Sequence, residues 1–403
     1  MNICIVTETF PPEVNGVAMT NRRLVDGLGA RGHQVTVVRP AQRADRQKNP
    51  IGVDPLDSAK EVTVPGIPLI GYPGIQMGLP VYFRLKTLMR AESFDVVHIA
   101  TEGPLGIAAL LAARRLRIPV TSTFHTNFQL YCEDYGAKWL TSTMLSFLRW
   151  FHNRCAYTFA PSHDLIESLE KESFERLIYL GRGVDRELFN RKRRDASLRK
   201  SWGANSDDTP VAIYVGRAAA EKNIPLAIEA FYKIRQRLTD ARMVVVGDGP
   251  VRAKLEKTYP DIHFAGMRYG TDLATHYASA DLFLFGSTSE TFGNVVTEAM
   301  TSGLISIVYD YAAGQRFIND GINGFLARFD DPKHFIEKAL EASHADDHWA
   351  EMRDAAEQAT AGIPWSSIIS DFEHYLAKAT HTGAQPERMD RDGLIKNPVP
   401  ESK

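Results

Sequence analysis

The feature of this sequence that most constrains its fold is an alternation of short apolar, β-branched runs with longer stretches of helical periodicity. Such alternation is typical of parallel α/β units. Several of the runs are apolar throughout, as expected for strands that helices cover on both faces. The predicted strands are residues 3–7, 35–38, 96–99, 120–124, 157–160, 178–180, 211–215, 243–246, 262–264, 282–285 and 305–308. We therefore predict an α/β fold with doubly wound parallel sheets.

The length of the chain and one break in the alternation predict two domains. A chain of 403 residues is too long for one compact domain and long enough for two of about 150–200 residues each. The polar stretch 191–210 interrupts the alternation, and we interpret it as an inter-domain linker. The predicted parts are an N-terminal domain of residues 1–190, a linker of 191–210, a C-terminal domain of 211–360, a final helix within 361–380 and a disordered polar tail of 381–403.

Composition excludes several classes of protein. The 47 Lys+Arg and 49 Asp+Glu residues leave a net charge of -2, which gives no reason to expect a nucleic-acid partner. The longest apolar run, residues 105–113, is far shorter than the ~20 residues that span a bilayer. The chain begins directly with a predicted strand, and its three cysteines contain no C-x-x-C pair. We therefore expect a cytoplasmic protein without a secretory signal, a disulfide framework or a structural zinc site.

The strongest functional pattern follows the predicted strand 282–285. In doubly wound sheets, ligands bind beyond the carboxyl ends of the strands. Glu290 lies in the loop after this strand, and Glu298 lies eight residues further on, inside the next helix. That helix is predicted to begin near Gly293, so the N–H groups of Gly293 to Val296 form an anion site suited to a diphosphate. A carboxylate at position 298 then reaches past the phosphates to a ribose diol.

A second pattern, after the predicted strand 211–215, places two cations together. Arg217 and Lys222 supply the positive charge that a departing nucleotide diphosphate needs when no metal ion neutralises it. Positive charges at a helix start oppose the helix dipole, which favours an anionic ligand nearby. Gly247, after the predicted strand 243–246, permits a close approach of the backbone, although a Gly-Asp-Gly turn is weak support on its own.

The N-terminal half offers a loop and a histidine. The loop after the first strand ends in Gly16 before a predicted helix, which makes it a second place for phosphate contact. It has no G-x-G-x-x-G pattern, and this disfavours a dinucleotide-dependent dehydrogenase. His125 directly follows the predicted strand 120–124. We interpret it either as a catalytic residue on the cleft side or as a structural one.

Taken together, these motifs resemble those of the retaining glycosyltransferases of family 4. The shared features are the Arg217/Lys222 pair, the E-x7-E frame of Glu290 and Glu298, the Pro-Pro…Gly first loop and the Phe-His-Thr sequence after a strand. The resemblance extends from residue 1 to about residue 380. It implies the GT-B fold, in which two Rossmann-like domains face each other across a cleft and the final helix crosses back onto the N-terminal domain. It also implies a nucleotide-sugar donor bound by the C-terminal domain and an acceptor bound by the N-terminal domain.

The resemblance implies a role for each matched position. Arg217 and Lys222 hold the diphosphate. Glu298 binds the ribose hydroxyls, Glu290 lies near the donor-sugar hydroxyls, and His125 faces the reacting sugar. The positions implied in backbone contact with the phosphates are Gly16, Phe292, Gly293, Asn294 and Val295. The acceptor attacks from the face of the leaving group, which retains the anomeric configuration and requires no separate nucleophile, and no metal ion or other cofactor is expected.

Residues 101–106 and 125–128, with Tyr135-Gly136, resemble the branch of this family that glycosylates lipids, which includes mannosyl-, glucosyl- and sulfoquinovosyltransferases. We therefore expect a hexosyltransferase that uses a UDP- or GDP-sugar and a lipid or lipid-linked acceptor such as diacylglycerol. Three alternatives stay open. They are a glycosyltransferase with a soluble or polysaccharide acceptor, a nucleotide-sugar epimerase, and a non-catalytic subunit that binds a nucleotide sugar.

Two basic, amphipathic segments, residues 79–90 and 139–151, bear on the location of the protein. Such patterning indicates either a helix at a membrane surface or a helix packed on its own domain. The second interpretation is the more common one. Peripheral contact with the inner face of the cell membrane is therefore a secondary expectation.

Overall fold

The computed structural model describes residues 1–13, 15–42, 45, 58–68, 76–124 and 141–381. Within them the chain forms two α/β domains, each with a doubly wound parallel sheet, as the sequence predicts. The strands are β1 (Asn2–Val6), β2 (Gln34–Pro40), β3 (Lys60–Val64), β4 (Gly66–Pro68), β5 (Gln76–Gly78), β6 (Val96–Ile99), β7 (Val120–Thr123), β8 (Tyr157–Ala160), β9 (Leu177–Tyr179), β10 (Val211–Val215), β11 (Arg242–Val246), β12 (His263–Gly266), β13 (Leu282–Phe285), β14 (Ile305–Tyr309) and β15 (Gly324–Ala327). The α-helices are α1 (Gly16–Ala30), α2 (Tyr82–Glu92), α3 (Pro104–Arg115), α4 (Thr141–His152), α5 (His163–Lys171), α6 (Ala196–Ser201), α7 (Ile224–Arg237), α8 (Arg252–Thr258), α9 (Gly270–Ala278), α10 (Asn294–Thr301), α11 (Ala312–Phe317), α12 (Pro332–His344), α13 (Trp349–Ala359) and α14 (Trp365–His381).

The N-terminal domain is built on a seven-stranded sheet. Its strand order is β3-β2-β1-β6-β7-β8-β9, and every neighbouring pair is parallel. Helices α2 and α3 cover one face, where the buried core includes Leu85, Met89 and Leu105. Helices α1 and α14 cover the other face. The chain order reverses between β1 and β6, so the loops that follow these two strands flank a crevice at the carboxyl edge of the sheet.

The C-terminal domain is built on a six-stranded parallel sheet with the order β12-β11-β10-β13-β14-β15. Strands β10, β13 and β14 are buried at every residue. This burial explains why β10 and β13 are unbroken apolar runs in the sequence and why β14 is interrupted only by Ser306. The chain order reverses between β10 and β13, so the loops after these strands meet at a second crevice.

Residues 191–210 do not form the predicted linker. This segment begins with a short 3-10 turn, Arg191–Arg193, and continues into α6, which packs on the C-terminal domain. The buried Arg199 donates to the Ser279 carbonyl at 2.8 Å and lies 3.2 Å from the Asp281 carboxylate. Arg199, which lies in the segment that the sequence analysis assigned to the linker, is therefore the partner of a buried acid.

The chain instead crosses between the domains a few residues earlier. Leu180 belongs to the N-terminal core, whereas Val184 belongs to the C-terminal core. The return crossing lies beside the first, because the Val184 N–H donates to the Ile363 carbonyl at 3.1 Å and Val184 forms an isolated parallel bridge with Pro364. The two crossings therefore make a two-strand connection between the domains.

Helix α14 follows the return crossing and packs on the N-terminal domain. It places Ile369, Phe372 and Leu376 in the core that α1 also covers. His381, which the sequence analysis assigned to the tail, is the last residue of this helix. The rest of the predicted tail, residues 382–403, lies outside the described residues.

Both amphipathic segments bury one face in their own domain. Leu85 of α2 and Leu148 and Phe151 of α4 are buried, as the interpretation of packed helices expects. Phe83, near the start of α2, is nevertheless 81% exposed. Trp139, at the start of the second segment, lies outside the described residues. Across the described part of the chain, no helix has both the length and the apolar character needed to cross a bilayer.

Candidate active site

The starts of two helices, one from each domain, face each other. Helix α1 starts at Gly16 and α10 starts at Asn294, and a β-carbon placed on Gly16 would lie 3.9 Å from the Asn294 side-chain nitrogen. The Asn15 side chain caps α1 by accepting from the Ala18 N–H at 2.9 Å. Because each helix start carries partial positive charge, the space between them favours an anion such as a diphosphate. The structure thus brings together two positions that the sequence analysis assigned to phosphate contact.

The local backbone decides which N–H groups the start of α10 offers. Gly293 has a φ of 88°, which lies in the left-handed region that glycine favours. The Val296 N–H donates to the Gly293 carbonyl at 3.0 Å, so the prediction that this N–H is unpaired is wrong. The Phe292 side chain is buried in the domain core, and this residue has only its backbone left for a ligand. Asn294 and Val295 remain as the residues whose N–H groups open the helix.

Lys222 and Glu290, which come from separate motifs, form an ion pair at the carboxyl ends of β10 and β13. The Lys222 ammonium also lies 3.3 Å from the Ser289 hydroxyl, and the Ser287 hydroxyl donates to Glu290 Oε1 at 2.9 Å. The Tyr311 hydroxyl accepts from the Glu290 N–H at 3.0 Å and donates to the Ser287 carbonyl at 2.7 Å. Sequence reasoning missed Tyr311, because it follows a different strand, β14.

Arg217 lies in the same loop after β10 as Lys222, and it pairs with Glu221, four residues further along the chain. Gly247 supports this loop from the neighbouring strand. It has a φ of 137°, and a β-carbon at this position would collide with the Gly216 carbonyl oxygen. Close packing of two loops therefore explains the glycine at position 247, and contact between this residue and the donor stays a prediction.

Glu298 is half-buried on α10, where its Oε2 accepts from the Tyr277 hydroxyl at 3.1 Å. Burial raises the pKa of Glu298 to about 7, while the positive charge of Arg23 acts in the opposite direction. Arg23 belongs to α1 and pairs at 2.6 Å with Asp185, just after the first crossing. The carboxylate predicted to bind ribose therefore lies in the field of a cation from the opposite domain.

Two half-buried glutamates organise the side of the cleft that the N-terminal domain forms. Glu8 Oε1 accepts from the Leu105 N–H at 3.1 Å, and its other oxygen accepts from the Gly78 N–H. Glu13 accepts from the Gln76 N–H at 3.2 Å. Burial raises the pKa of both carboxyl groups to about 7. The first loop is thus tied to β5 and to the start of α3, and sequence reasoning missed both roles because the partners lie far along the chain.

His125, predicted to face the reacting sugar, lies outside the described residues, and its role stays a prediction. Within the described ranges, no three histidine, cysteine or acidic side chains come together as ligands for a metal ion. The expectation that the site works without a metal ion also stays a prediction.

Comparison with known families divides the chain at the same place as the fold. Residues 14–188 match the family described as Glycosyltransferase Family 4, and residues 209–344 match the family described as Glycosyl transferases group 1. The first stretch covers most of the N-terminal domain and the second covers most of the C-terminal domain.

Individual proteins resemble the chain over most of its length. A GDP-mannose-dependent alpha-mannosyltransferase of Corynebacterium glutamicum is 32% identical over 93% of this chain and 88% of its own length. An alpha-monoglucosyldiacylglycerol synthase of Acholeplasma laidlawii is 29% identical over 81% of this chain and 84% of its own. The crystal structure of Anabaena HepE in complex with UDP-glucose superimposes with a TM-score of 0.73 at 17% identity, over 93% of this chain and 99% of that one. The last likeness shows the fold, which is GT-B.

Proposed function

The chain belongs to glycosyltransferase family 4, and from this premise we infer that it is a retaining hexosyltransferase that moves a hexose from a nucleotide sugar to a lipid or lipid-linked acceptor. The observation that supports this most directly is the cleft between the starts of α1 and α10. The C-terminal domain contributes Lys222 and Glu290 to this cleft. Two helix starts and two cations provide a site for a diphosphate that does not depend on a metal ion.

The leaving group accounts for the placement of the cations. In the transfer, the bond from the anomeric carbon to the phosphate oxygen breaks, and its electron pair leaves with the nucleotide diphosphate. Arg217 and Lys222 stabilise the negative charge that accumulates on that oxygen. The acceptor hydroxyl forms the new bond on the same face, and its proton passes to the departing phosphate oxygen. Attack on the same face retains the anomeric configuration without a side-chain nucleophile.

The relatives support a donor and an acceptor. GDP-mannose is the donor we favour, because the mannosyltransferase relative is named for its dependence on it. Diacylglycerol is the acceptor we favour for a first test, because the other relative is named as a synthase of monoglucosyldiacylglycerol. Glu298 binds the ribose in this proposal, and Glu290 contacts the hydroxyls of the transferred sugar.

A panel of nucleotide sugars tests this function directly. The protein is incubated with GDP-mannose, UDP-glucose or UDP-galactose and with vesicles that contain diacylglycerol, and both nucleotide release and glycolipid are measured. We expect acceptor-dependent release of GDP from GDP-mannose, an α-linked product and full activity in EDTA. Inactivity with every donor would contradict transfer to diacylglycerol. Loss of activity in EDTA would contradict the metal-free diphosphate site, and a β-linked product would contradict retention.

We also propose a peripheral membrane contact through the start of α2. Phe83 is 81% exposed there, and Arg84, Lys86 and Arg90 lie on the same helix. An exposed aromatic ring among basic side chains suits an interface with anionic lipid. The fraction of protein that sediments with phosphatidylglycerol vesicles should therefore fall in Phe83→Ser. Ile322→Ser is the control, because Ile322 is 63% exposed on the other domain. An equal fraction bound by both variants would contradict the contact.

A further inference from the structure

Three buried polar side chains of the N-terminal domain form a continuous hydrogen-bonded chain. The Ser122 hydroxyl, on β7, lies 2.9 Å from His152 Nδ1, and His152 Nε2 lies 3.1 Å from Glu102 Oε1. The Thr158 hydroxyl, on β8, lies 3.0 Å from that of Ser122. Ser122 and His152 are completely buried, and the Glu102 side chain is 4% exposed.

The positions of the protons in these hydrogen bonds follow from the Glu102 carboxylate. An ionised carboxylate only accepts hydrogen bonds, so His152 donates to Glu102 from Nε2. In the neutral imidazole, Nδ1 then accepts, and the Ser122 hydroxyl donates to it. The donors of Ser122 and His152 therefore both point towards Glu102.

Serine, histidine and a carboxylate in this order also form the triad of serine hydrolases. That reaction is excluded for this group, because the Ser122 hydroxyl is completely buried within the sheet, where no substrate carbonyl reaches it. Of the three members, Glu102 alone has accessible surface. The arrangement therefore serves to hold a carboxylate in a fixed position and orientation.

Glu102 follows β6 at the carboxyl edge of the sheet, beside the first loop. The neighbouring Thr101 hydroxyl accepts from the Glu8 N–H at 2.7 Å, and a β-carbon on Gly103 would collide with the Glu8 carboxylate. Glu8 and Glu102 differ in their hydrogen-bond partners. Both carboxylate oxygens of Glu8 accept from backbone N–H groups, whereas no donor among the described residues reaches Glu102 Oε2.

The Glu102 carboxylate is almost fully buried and accepts from a described donor on one oxygen only, and its small accessible surface leaves the second oxygen open to a hydroxyl of a ligand. We propose that Glu102 Oε2 accepts a hydrogen bond from a hydroxyl of the acceptor head group, and that His152 and Ser122 are positioning residues for this carboxylate. The proposal rests on the proposed glycosyl transfer. The reacting hydroxyl gives its proton to the departing phosphate, so the hydroxyl that Glu102 binds is a second one. Glu102 thus favours an acceptor with a polyol head group over diacylglycerol, which has a single hydroxyl.

The variant Glu102→Gln tests this assignment without removing the contact to His152. The amide keeps one oxygen for His152 and turns the outer acceptor into an N–H donor. Full-length wild type and variant are assayed with the active donor and two acceptors, diacylglycerol and monoglucosyldiacylglycerol, each in phosphatidylglycerol vesicles. We expect kcat/KM for monoglucosyldiacylglycerol to fall roughly 10- to 100-fold. Transfer to diacylglycerol, and donor hydrolysis without acceptor, should match the wild type.

Two further variants separate position from stability. Ser122→Ala leaves the outer oxygen of Glu102 in place but removes support from His152, so it should reduce transfer to monoglucosyldiacylglycerol in the same direction and by less. Glu373→Gln is the matched control. It weakens another glutamate–histidine pair, with His33 at 2.7 Å, on α14 and away from the cleft. It should leave both acceptors unaffected.

The outcomes distinguish this inference from the proposed function. An equal loss with both acceptors and in donor hydrolysis would show a structural role for Glu102 and overturn the inference. Unchanged kinetics in Glu102→Gln, or wild-type transfer to diacylglycerol but not to monoglucosyldiacylglycerol, would also overturn it and leave glycosyl transfer intact. A wild-type protein that transfers sugar to neither acceptor would overturn the proposed function, and the inference with it.

Discussion

At the scale of single residues, each predicted cation of the donor site has a carboxylate partner. Lys222 pairs with Glu290 and Arg217 pairs with Glu221, so the charge of the C-terminal crevice is locally balanced. A diphosphate competes with these carboxylates for the cations. Its interaction with them strengthens as the glycosidic bond breaks, because negative charge then accumulates on the leaving oxygen. The cations should therefore affect turnover more than donor binding.

The substitution Lys222→Ala tests this distinction. Removing one charge that stabilises the leaving group should lower kcat by about 10²–10³ and change the KM for the donor much less. Steady-state kinetics at saturating acceptor measure both quantities. Lys338→Ala is the control, because Lys338 pairs at 2.6 Å with Asp320 on the surface of the same domain. Full turnover in Lys222→Ala would contradict the assigned role.

Glu298 predicts a pH dependence of donor binding. Burial raises its pKa to about 7, so the carboxyl group is mostly protonated at pH 6 and mostly ionised at pH 8. Only the ionised form accepts hydrogen bonds from both ribose hydroxyls, so donor affinity should rise by about tenfold between these two pH values. Titration calorimetry with GDP-mannose or GDP at both pH values measures this. In Glu298→Gln, affinity should be weaker and nearly independent of pH. The same pH dependence in wild type and variant would assign the titration to another group.

At the scale of elements, the strands that are buried on both faces are the ones that the sequence predicts best. Strands β6, β8, β10 and β13 have the predicted bounds, because each is a fully buried and mostly apolar run between polar turns. It missed β3, whose residues Lys60 and Glu61 are exposed at the edge of the sheet. An edge strand with one solvated face has a weaker hydrophobic signal than a central one.

Several of the errors and omissions share one physical cause, which is that a side chain's partner lies far along the chain. Arg199 was assigned to the linker, because Asp281, which it contacts, lies 82 residues further along the chain. Tyr311 and Glu102 were missed as parts of the site for the same reason. Lys222 and Glu290, in contrast, stand at strand ends in a recognisable pattern, and the fold places such ends together.

Helix α14 is the element whose packing gives a stability prediction. Phe372 is completely buried, and its ring lies 4.8 Å from that of His98 and 5.2 Å from that of Phe159. Phe372→Ala should reduce the free energy of unfolding by ~3–5 kcal/mol, because it removes a ring from a closely packed core. Urea denaturation measures this change. Glu373→Ala, on the exposed face of the same helix, should cost at most ~1 kcal/mol. Similar small changes in both variants would contradict the core role of α14.

At the scale of the whole molecule, the connection between the domains is narrow. It consists of two crossings joined through Val184 and Ile363, together with a few side-chain contacts. Arg23 of α1 pairs with Asp185 at 2.6 Å. The Arg316 guanidinium lies 4.8 Å from the centre of the Tyr179 ring. Because the two crossings are adjacent, the main motion open to the domains is a rotation of one domain about the crossings. Such a rotation opens or closes the cleft between the two domains.

We therefore expect the donor to close the molecule. A diphosphate between the starts of α1 and α10 binds groups of both domains, so the closed state binds the donor more tightly than the open state does. Donor binding therefore shifts the equilibrium towards the closed state. Closure also excludes the water that would hydrolyse the activated sugar. Small-angle X-ray scattering should show a smaller radius of gyration when GDP-mannose or GDP is added. An unchanged radius at saturating nucleotide would contradict donor-driven closure.

Truncation tests whether the return crossing is part of this machinery. Deleting residues from 361 onward removes the partner of Val184 and all of α14, which uncovers the core residues Leu24, Leu28 and Phe159. We expect that protein to be unfolded or inactive, because exposing this much apolar surface exceeds the few kcal/mol that stabilise a domain. Deleting only residues 383–403 leaves α14 complete, so folding, closure and transfer should all persist. If the short deletion abolishes transfer in a folded protein, the tail takes part in the reaction, and the two crossings and α14 alone do not account for transfer.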